Sequence, residues 1–96
     1  MIDVRETDEF ADWLSALRDR RAAAKIAIRI DRLRFGNPGD VENVGEGVSE
    51  MRIHYGPGYR VYYKGRGKDL VVLLCGGDKS DQDADVKRAK AMARNL

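Results

Sequence analysis

The sequence predicts an α+β domain, with two N-terminal helices packed on a small antiparallel sheet and a third helix at the C-terminus. Three observations carry that prediction. Apolar residues recur at helical spacing through Leu33, and from Gly45 the period changes from 3.6 to 2. MRIHYGPGYRVYY (51–63) reads as two strands around a Gly-Pro-Gly turn. LVVLLC (70–75) is apolar at consecutive positions, which suits a strand buried on both faces.

In chain order, MIDVRET forms a short edge strand. Thr7 is placed as the N-cap of a first helix, with Asp8 and Glu9 in its positively polarised first turn. Phe10, Trp13, Leu14 and Leu17 fall at i, i+3, i+4 and i+7, a single buried stripe. After a break near Asp19, RAAAKIAIRIDRLRF is a second helix with Ala23, Ile26, Ala27, Ile30 and Leu33 on one face. Gly36-Asn37-Pro38-Gly39 terminates it. Ile28 lies opposite the buried stripe, exposed or covered by a partner. Residues 36–47 read as a loop, and 48–55 and 59–64 alternate as strands. KGRGKD (64–69) is a second turn. The last helix has Ser80 at its N-cap with Asp83 in a capping-box arrangement, and Val86, Ala89, Ala93 and Leu96 inward.

Ninety-six residues make one domain, with no repeat, linker or low-complexity tract. No stretch approaches the ~18–20 apolar residues of a membrane helix. The acidic, mixed start MIDVRETDEF lacks the charged and apolar regions of a secretory signal, so a cytoplasmic protein is expected. Cys75 is the only cysteine and is expected as a buried thiol; His54 is the only histidine. Neither belongs to a group with metal-ligand spacing, so no metal or cofactor is expected. Residues 1–50 carry 8 Lys/Arg against 11 Asp/Glu, a net of −3, whereas residues 51–96 carry 10 against 5, a net of +5. The second half is thus the one suited to an anionic partner.

The hairpin has two unlike faces. Met51, Ile53, Tyr55, Tyr59, Val61 and Tyr63 form an apolar set expected to pack on the helices. Glu50, Arg52, His54, Arg60, Tyr62 and Lys64 form a polar set expected to face away. Wet sheet faces are ordinarily just solvated. This one nevertheless gathers the parts of a phosphate site. Arg52 and Arg60 fall on facing strands and carry forked donors suited to phosphate. Tyr62 can stack on a base, and His54 or Glu50 can take a proton. GGDKSDQD (76–83) joins the buried strand to the last helix. It is either an ordinary turn, with glycines for flexibility, or an anion site in which Lys79 stands near the helix N-terminus. No G-x-x-x-x-G-K-[ST] loop is present, and no serine has a histidine at a spacing that suggests a hydrolase triad.

FADWLSALRDRRAAAKIAIRIDRLRFGNPGD, VGEGVSEMRIHYGPGYRVYY and LLCGGDKSDQDADVKRA closely resemble the addiction-module killer proteins, the phage Gp49-like and HigB-like toxins of the RelE/ParE superfamily. The resemblance covers nearly the whole chain in order, and GVSEMRIHYGPGYRVYY and GGDKSDQ are its most specific parts. It implies a RelE-like fold and the toxin of a type II toxin–antitoxin module, with a helix-turn-helix antitoxin as partner. It also implies metal-free cleavage of mRNA on the ribosome, in which a 2′-OH attacks the adjacent phosphate. The family's functional arginine in the Gly-Tyr-Arg stretch falls on Arg60. Arg52 takes the place of a basic residue on the preceding strand, and Lys79 that of the one following the third long strand. Lys64, Arg66 and Lys68 are then expected to hold ribosomal RNA. One departure stands out: residues 80–96 contain neither the tyrosine nor the histidine that such nucleases often carry near the C-terminus. Either Tyr62 or His54 substitutes, or the chemistry differs. ParE-like relatives, which inhibit DNA gyrase without a nuclease site, supply the alternative.

Overall fold

The computed structural model describes all 96 residues. Its elements in chain order are β1 (Asp3–Glu6), α1 (Asp8–Ala16), α2 (Arg20–Arg34), β2 (Val41–Gly45), β3 (Val48–Ile53), β4 (Tyr59–Arg66), β5 (Leu70–Asp78) and α3 (Gln82–Arg94). One 3₁₀ turn, Lys79–Asp81, joins β5 to α3. The strands form one sheet in the order β1-β5-β4-β3-β2. β3, β4 and β5 are antiparallel neighbours, as the hairpin patterns predict; β2 adds an antiparallel edge strand beside β3, and β1 a parallel one beside β5. No helix is long and apolar enough to cross a membrane.

Short-range chemistry sets where the first two helices begin. Thr7 Oγ1 accepts from the Phe10 amide at 3.1 Å and donates to the Leu74 carbonyl at 2.6 Å, which ties the start of α1 to β5. Asp19 accepts from the amides of Arg21 and Ala22 at 3.0 and 3.1 Å, so the break near Asp19 is also the cap of α2. On one sheet face, Phe10, Ile26, Ile30 and Leu33 pack on Met51, Ile53, Val61, Tyr63, Val71 and Leu73. α3 covers the other face, where Ala89 and Ala93 meet Val48, Tyr62, Leu74 and Cys75. β5 is thereby buried on both faces, as its unbroken apolar run predicts. A bulge, where Tyr62 pairs with Cys75 but Tyr63 with Leu73, sends both Leu74 and Cys75 into the α3 layer.

Several local expectations are corrected. The buried stripe of α2 is Ala22, Ile26, Ile30 and Leu33, at i, i+4, i+8 and i+11; Ala23 and Ala27 fall beside that line, and Ala23 is half-buried and Ala27 exposed. Leu96 is largely exposed beyond the end of α3, whereas Ile28 is exposed as its helical phase predicts. Ser80 does not cap the last helix. Its amide and hydroxyl both donate to Asp78 Oδ1, at 2.9 and 2.5 Å, so a carboxylate caps the 3₁₀ turn and α3 follows Asp81 without a side-chain cap. Residues 41–45, read as loop, form an edge strand paired with β3 from Val41↔Met51 to Asn43↔Ser49. Only Val41 and Val44 are partly covered in that strand, so it carries little apolar signal. The turn after it holds Glu46 at φ 55°, and Arg94 grips its carboxylate with Nε at 3.0 Å and Nη2 at 3.1 Å.

The Gly76-Gly77 pair serves packing rather than flexibility. A Cβ on Gly76 would lie 2.4 Å from the Trp13 ring, and one on Gly77 would lie 1.9 Å from Asp85 Oδ2. Successive strand residues point to opposite faces, so one glycine admits α1 and the next admits α3. Trp13 of α1 and Asp85 of α3 are thereby seated on β5 just before its chain turns into Lys79.

Candidate functional site

An open cleft of about 670 Å³ lies at the turn end of the β3–β4 hairpin, lined by Arg52, His54, Tyr55, Arg60, Lys79 and Gln82 around the Gly56-Pro57-Gly58 turn. Sheet register builds it. Arg52 and Arg60 are direct cross-strand partners, and Arg60 is in turn opposite Gly77 on β5. Lys79 follows two residues later and lies over the turn, where a Cβ on Gly58 would be 3.5 Å from its own Cβ. Lys79 is exposed and makes no ion pair.

Beneath the cleft lies Glu50, which is 0% exposed. Its Oε1 accepts from Arg52 Nε at 3.2 Å and Arg60 Nη1 at 3.5 Å. Its Oε2 accepts from the Tyr62 hydroxyl at 3.1 Å and Gln82 Nε2 at 2.9 Å. A carboxylate with four donors meets the condition under which a buried charge is tolerated. Glu50 is the floor of the site and has no open approach for a substrate hydroxyl. The expectation that it acts as a base is corrected on that ground.

The two arginines differ. Arg52 is ringed by carboxylates: Glu50, Glu42 and Asp40, the last at 3.6 Å. Its charge is locally spent. Arg60 faces Glu50 alone, its side chain is 12% exposed, and its Nε is buried without a partner. Arg60, with one carboxylate partner, and Lys79, with none, are therefore the cleft cations best placed to meet an anion. His54, outside the strand and mostly exposed, places Nε2 2.5 Å from Asp40 Oδ2. That contact is the chief reason the Asp40 carboxyl is held below the usual carboxylate range.

Tyr62 is corrected too. α3 covers it completely, burial and the Glu50 charge push its phenol well up, and its ring offers no face to a base. Tyr55, half-buried at the cleft wall, is the aromatic that remains accessible. Lys64, Arg66 and Lys68 lie toward or in the β4–β5 turn. Arg66 is six residues along the strand from Arg60, roughly 20 Å at the usual strand rise. They are not part of the cleft. Cys75 is buried as expected, and burial pushes its thiol up to about 12, so it is inert.

Sequence reading missed Gln82, Asp40 and Glu42. Gln82 reaches Glu50 from 32 residues away, and Asp40 and Glu42 reach Arg52 only because β2 pairs with β3. No local pattern reports such contacts. Asp85 was missed as well. It packs on Gly77 with Oδ2 buried and unpartnered, and burial, then Asp81, Asp78 and Glu9, raise its carboxyl, outweighing the favourable helix N-terminus. A folded-state pKa above the unfolded one gives stability that is present at low pH and lost as pH rises through the folded value. Asp85→Asn is therefore expected to raise the melting temperature at pH 7, with the gain closing near pH 4. Thermal melts across that range test it; an equal shift at every pH would place the effect in packing rather than charge.

The model of the family described as phage-derived protein Gp49-like (DUF891) matches residues 12–96. An uncharacterized protein of Haemophilus influenzae is 54% identical over 95 residues, covering 99% of this chain and 96% of that protein. Among solved structures, a chain of the chromosomal ParDE TA system from P. aeruginosa has a TM-score of 0.64 at 18% identity, covering 81% of this chain and 96% of its own. YafQ from E. coli strain BL21(DE3) has a TM-score of 0.59 at 15% identity, covering 85% and 98%. HP0894 from Helicobacter pylori has a TM-score of 0.53 at 21% identity, covering 83% and 97%. The three structural likenesses are of fold, and they match the α+β layering of helices and sheet described above. The chain belongs to the phage-derived Gp49-like family, and its fold is of the RelE/ParE type.

Proposed function

We propose that this chain is the toxin of a type II toxin–antitoxin pair and a ribosome-dependent, metal-independent mRNA endonuclease acting in the cytoplasm. A helix-turn-helix antitoxin is its cognate partner. The observation that carries the reading is the juxtaposition of Arg60 and Lys79 at the mouth of the cleft, with Arg60 held from below by Glu50. In this reading the 2′-oxygen of a bound RNA strand attacks the adjacent phosphorus, and the bond to the 5′-oxygen breaks. The products are a 2′,3′-cyclic phosphate and a free 5′-hydroxyl.

Arg60 stabilises the charge that builds on the phosphate oxygens, and Lys79 protonates the leaving 5′-oxygen. His54 takes the 2′-hydroxyl proton, oriented by Asp40. Arg52, already paired with three carboxylates, positions Glu50 and the β2 edge instead of binding phosphate. Lys64, Arg66 and Lys68, at the far end of the sheet, hold ribosomal RNA.

Primer extension on cellular mRNA shortly after induction tests the reading. Discrete cuts within translated frames are expected, together with growth arrest that co-expression of the neighbouring reading frame relieves. The burial of Tyr62 and Glu50, and the lack of Tyr or His in residues 80–96, favour one rival, a ParE-like inhibitor of DNA gyrase. Intact mRNA with persistent growth arrest would select that rival, and no arrest at good expression would sink both.

A further inference from the structure

The uncompensated positive charge of this protein is not centred on the two cleft arginines. α2 carries Arg20, Arg21, Lys25, Arg29, Arg32 and Arg34 against the single acid Asp31. Lys25, Arg29 and Arg32, at i, i+4 and i+7, share one side of that helix. There they line a groove of about 250 Å³ with Ile28, His54 and Tyr55. None of these three cations makes an ion pair, unlike Arg52 with its three. Arg29 is fixed by backbone carbonyls alone: Nη1 donates to Arg52 at 2.6 Å, and Nη2 to Pro38 at 2.9 Å and Asp40 at 3.3 Å. Those bonds anchor the groove to β3, and the Asp40 carboxylate lies within the field of Arg29 without pairing with it. Lys25 lies 5.3 Å above the Tyr55 ring. His54 and Tyr55 belong to both this groove and the cleft, and the negative charges at the junction are Asp40, against His54, and Asp19, against the Tyr55 hydroxyl.

We propose that the Lys25–Arg29–Arg32 side of α2 is a second phosphate track, along which a single RNA strand lies after it passes His54 and Tyr55 on its way from the cleft. The proposal rests on the nuclease reading above and adds the path of the substrate. Charge complementarity and continuity with the cleft identify the occupant as a phosphate backbone. From Lys25 to Arg32 the helix rises roughly 10 Å, enough to meet more than one phosphate. An accessible tyrosine beside a line of cations is the combination that binds single strands without sequence preference.

The test is the salt dependence of binding to an unstructured RNA oligonucleotide of about twelve nucleotides, within the usual range of single-strand site sizes. Each phosphate contact contributes roughly 0.7 to the slope of log K against log salt for single strands. Lys25→Gln with Arg32→Gln is expected to lower the slope by about 1.4, while Lys25→Arg with Arg32→Lys restores it. Both positions are exposed, so melting temperature is expected to stay unchanged and serves as the control. Arg60→Gln, measured in parallel, is expected to lower the slope by about 0.7 and to slow cleavage. If the double glutamine variant keeps the wild-type slope while Arg60→Gln lowers it, the track is refuted and the cleft reading stands. If no variant changes the slope, both fail. Loss of antitoxin binding with RNA binding unchanged would assign the surface to a protein, and that result also overturns the proposal.

Discussion

Arg60→Gln is expected to slow ribosome-dependent mRNA cleavage by about 10²–10³-fold, the usual effect of removing one charged or hydrogen-bonding group that stabilises a developing oxyanion. Arg60 is the cleft arginine with charge to spare: it shares Glu50 with Arg52, whereas Arg52 also has Asp40 and Glu42. Its Nε is buried without a partner, so contact with a ligand oxygen falls to the part of the guanidinium that lines the cleft. Arg60→Lys keeps the charge but loses the planar fork, so its activity is expected between wild type and Arg60→Gln. Arg52→Gln is expected to affect stability and substrate affinity more than the rate, because Arg52 acts through the carboxylates around it. Initial rates on a ribosome-bound mRNA, read beside the melting temperature of each variant, separate these cases. Cleavage by Arg60→Gln within a few-fold of wild type, in a folded protein, would remove Arg60 from the chemistry.

Why the place of Arg60 on the hairpin was legible in the sequence, and the burial of Glu50 was not, follows from the range of the interactions. Arg60 and Arg52 are placed by strand alternation and a short turn, both visible within thirteen residues. The Thr7 cap, the α1 stripe and the doubly buried LVVLLC strand are local signals of the same kind, and the structure carries each of them. Alternation says which side chains share a face; it does not say what covers that face. The polar set of the hairpin was expected in water, yet α3 folds over its far half and buries Tyr62 and Glu50 while leaving Arg52, Arg60 and His54 at the rim. α3 supplies small residues, Ala89 and Ala93, at the contact, which lets the helix approach closely enough to seal it. The strand β2 and the parallel pairing of β1 with β5 were equally hidden, since edge strands this short and polar are specified by their partners.

Glu50→Ala is expected to be the most destabilising single change in the site, at about 3 kcal/mol or more, because it leaves a buried guanidinium without its counter-charge and two neutral donors without an acceptor. For a domain of this size that corresponds to a fall of roughly 12 °C or more in melting temperature. Glu50→Gln preserves the shape. Tyr62 and Gln82 can each present an oxygen to the new amide, while Arg52 and Arg60 keep one carbonyl oxygen. Its cost in stability is therefore smaller than that of Glu50→Ala. It also removes the negative charge beneath Arg60, so Glu50→Gln is expected to bind RNA more tightly than wild type while being less stable. A protein that buries a carboxylate under its own anion-binding arginine gives up affinity to hold that arginine in place. Opposite signs for stability and RNA affinity in one variant would show that trade directly. A Glu50→Gln protein that binds RNA more weakly would mean that the carboxylate acts mainly by orienting Arg60. A Glu50→Ala protein that melts with wild type would mean that the four-donor network does not hold the hairpin to α3.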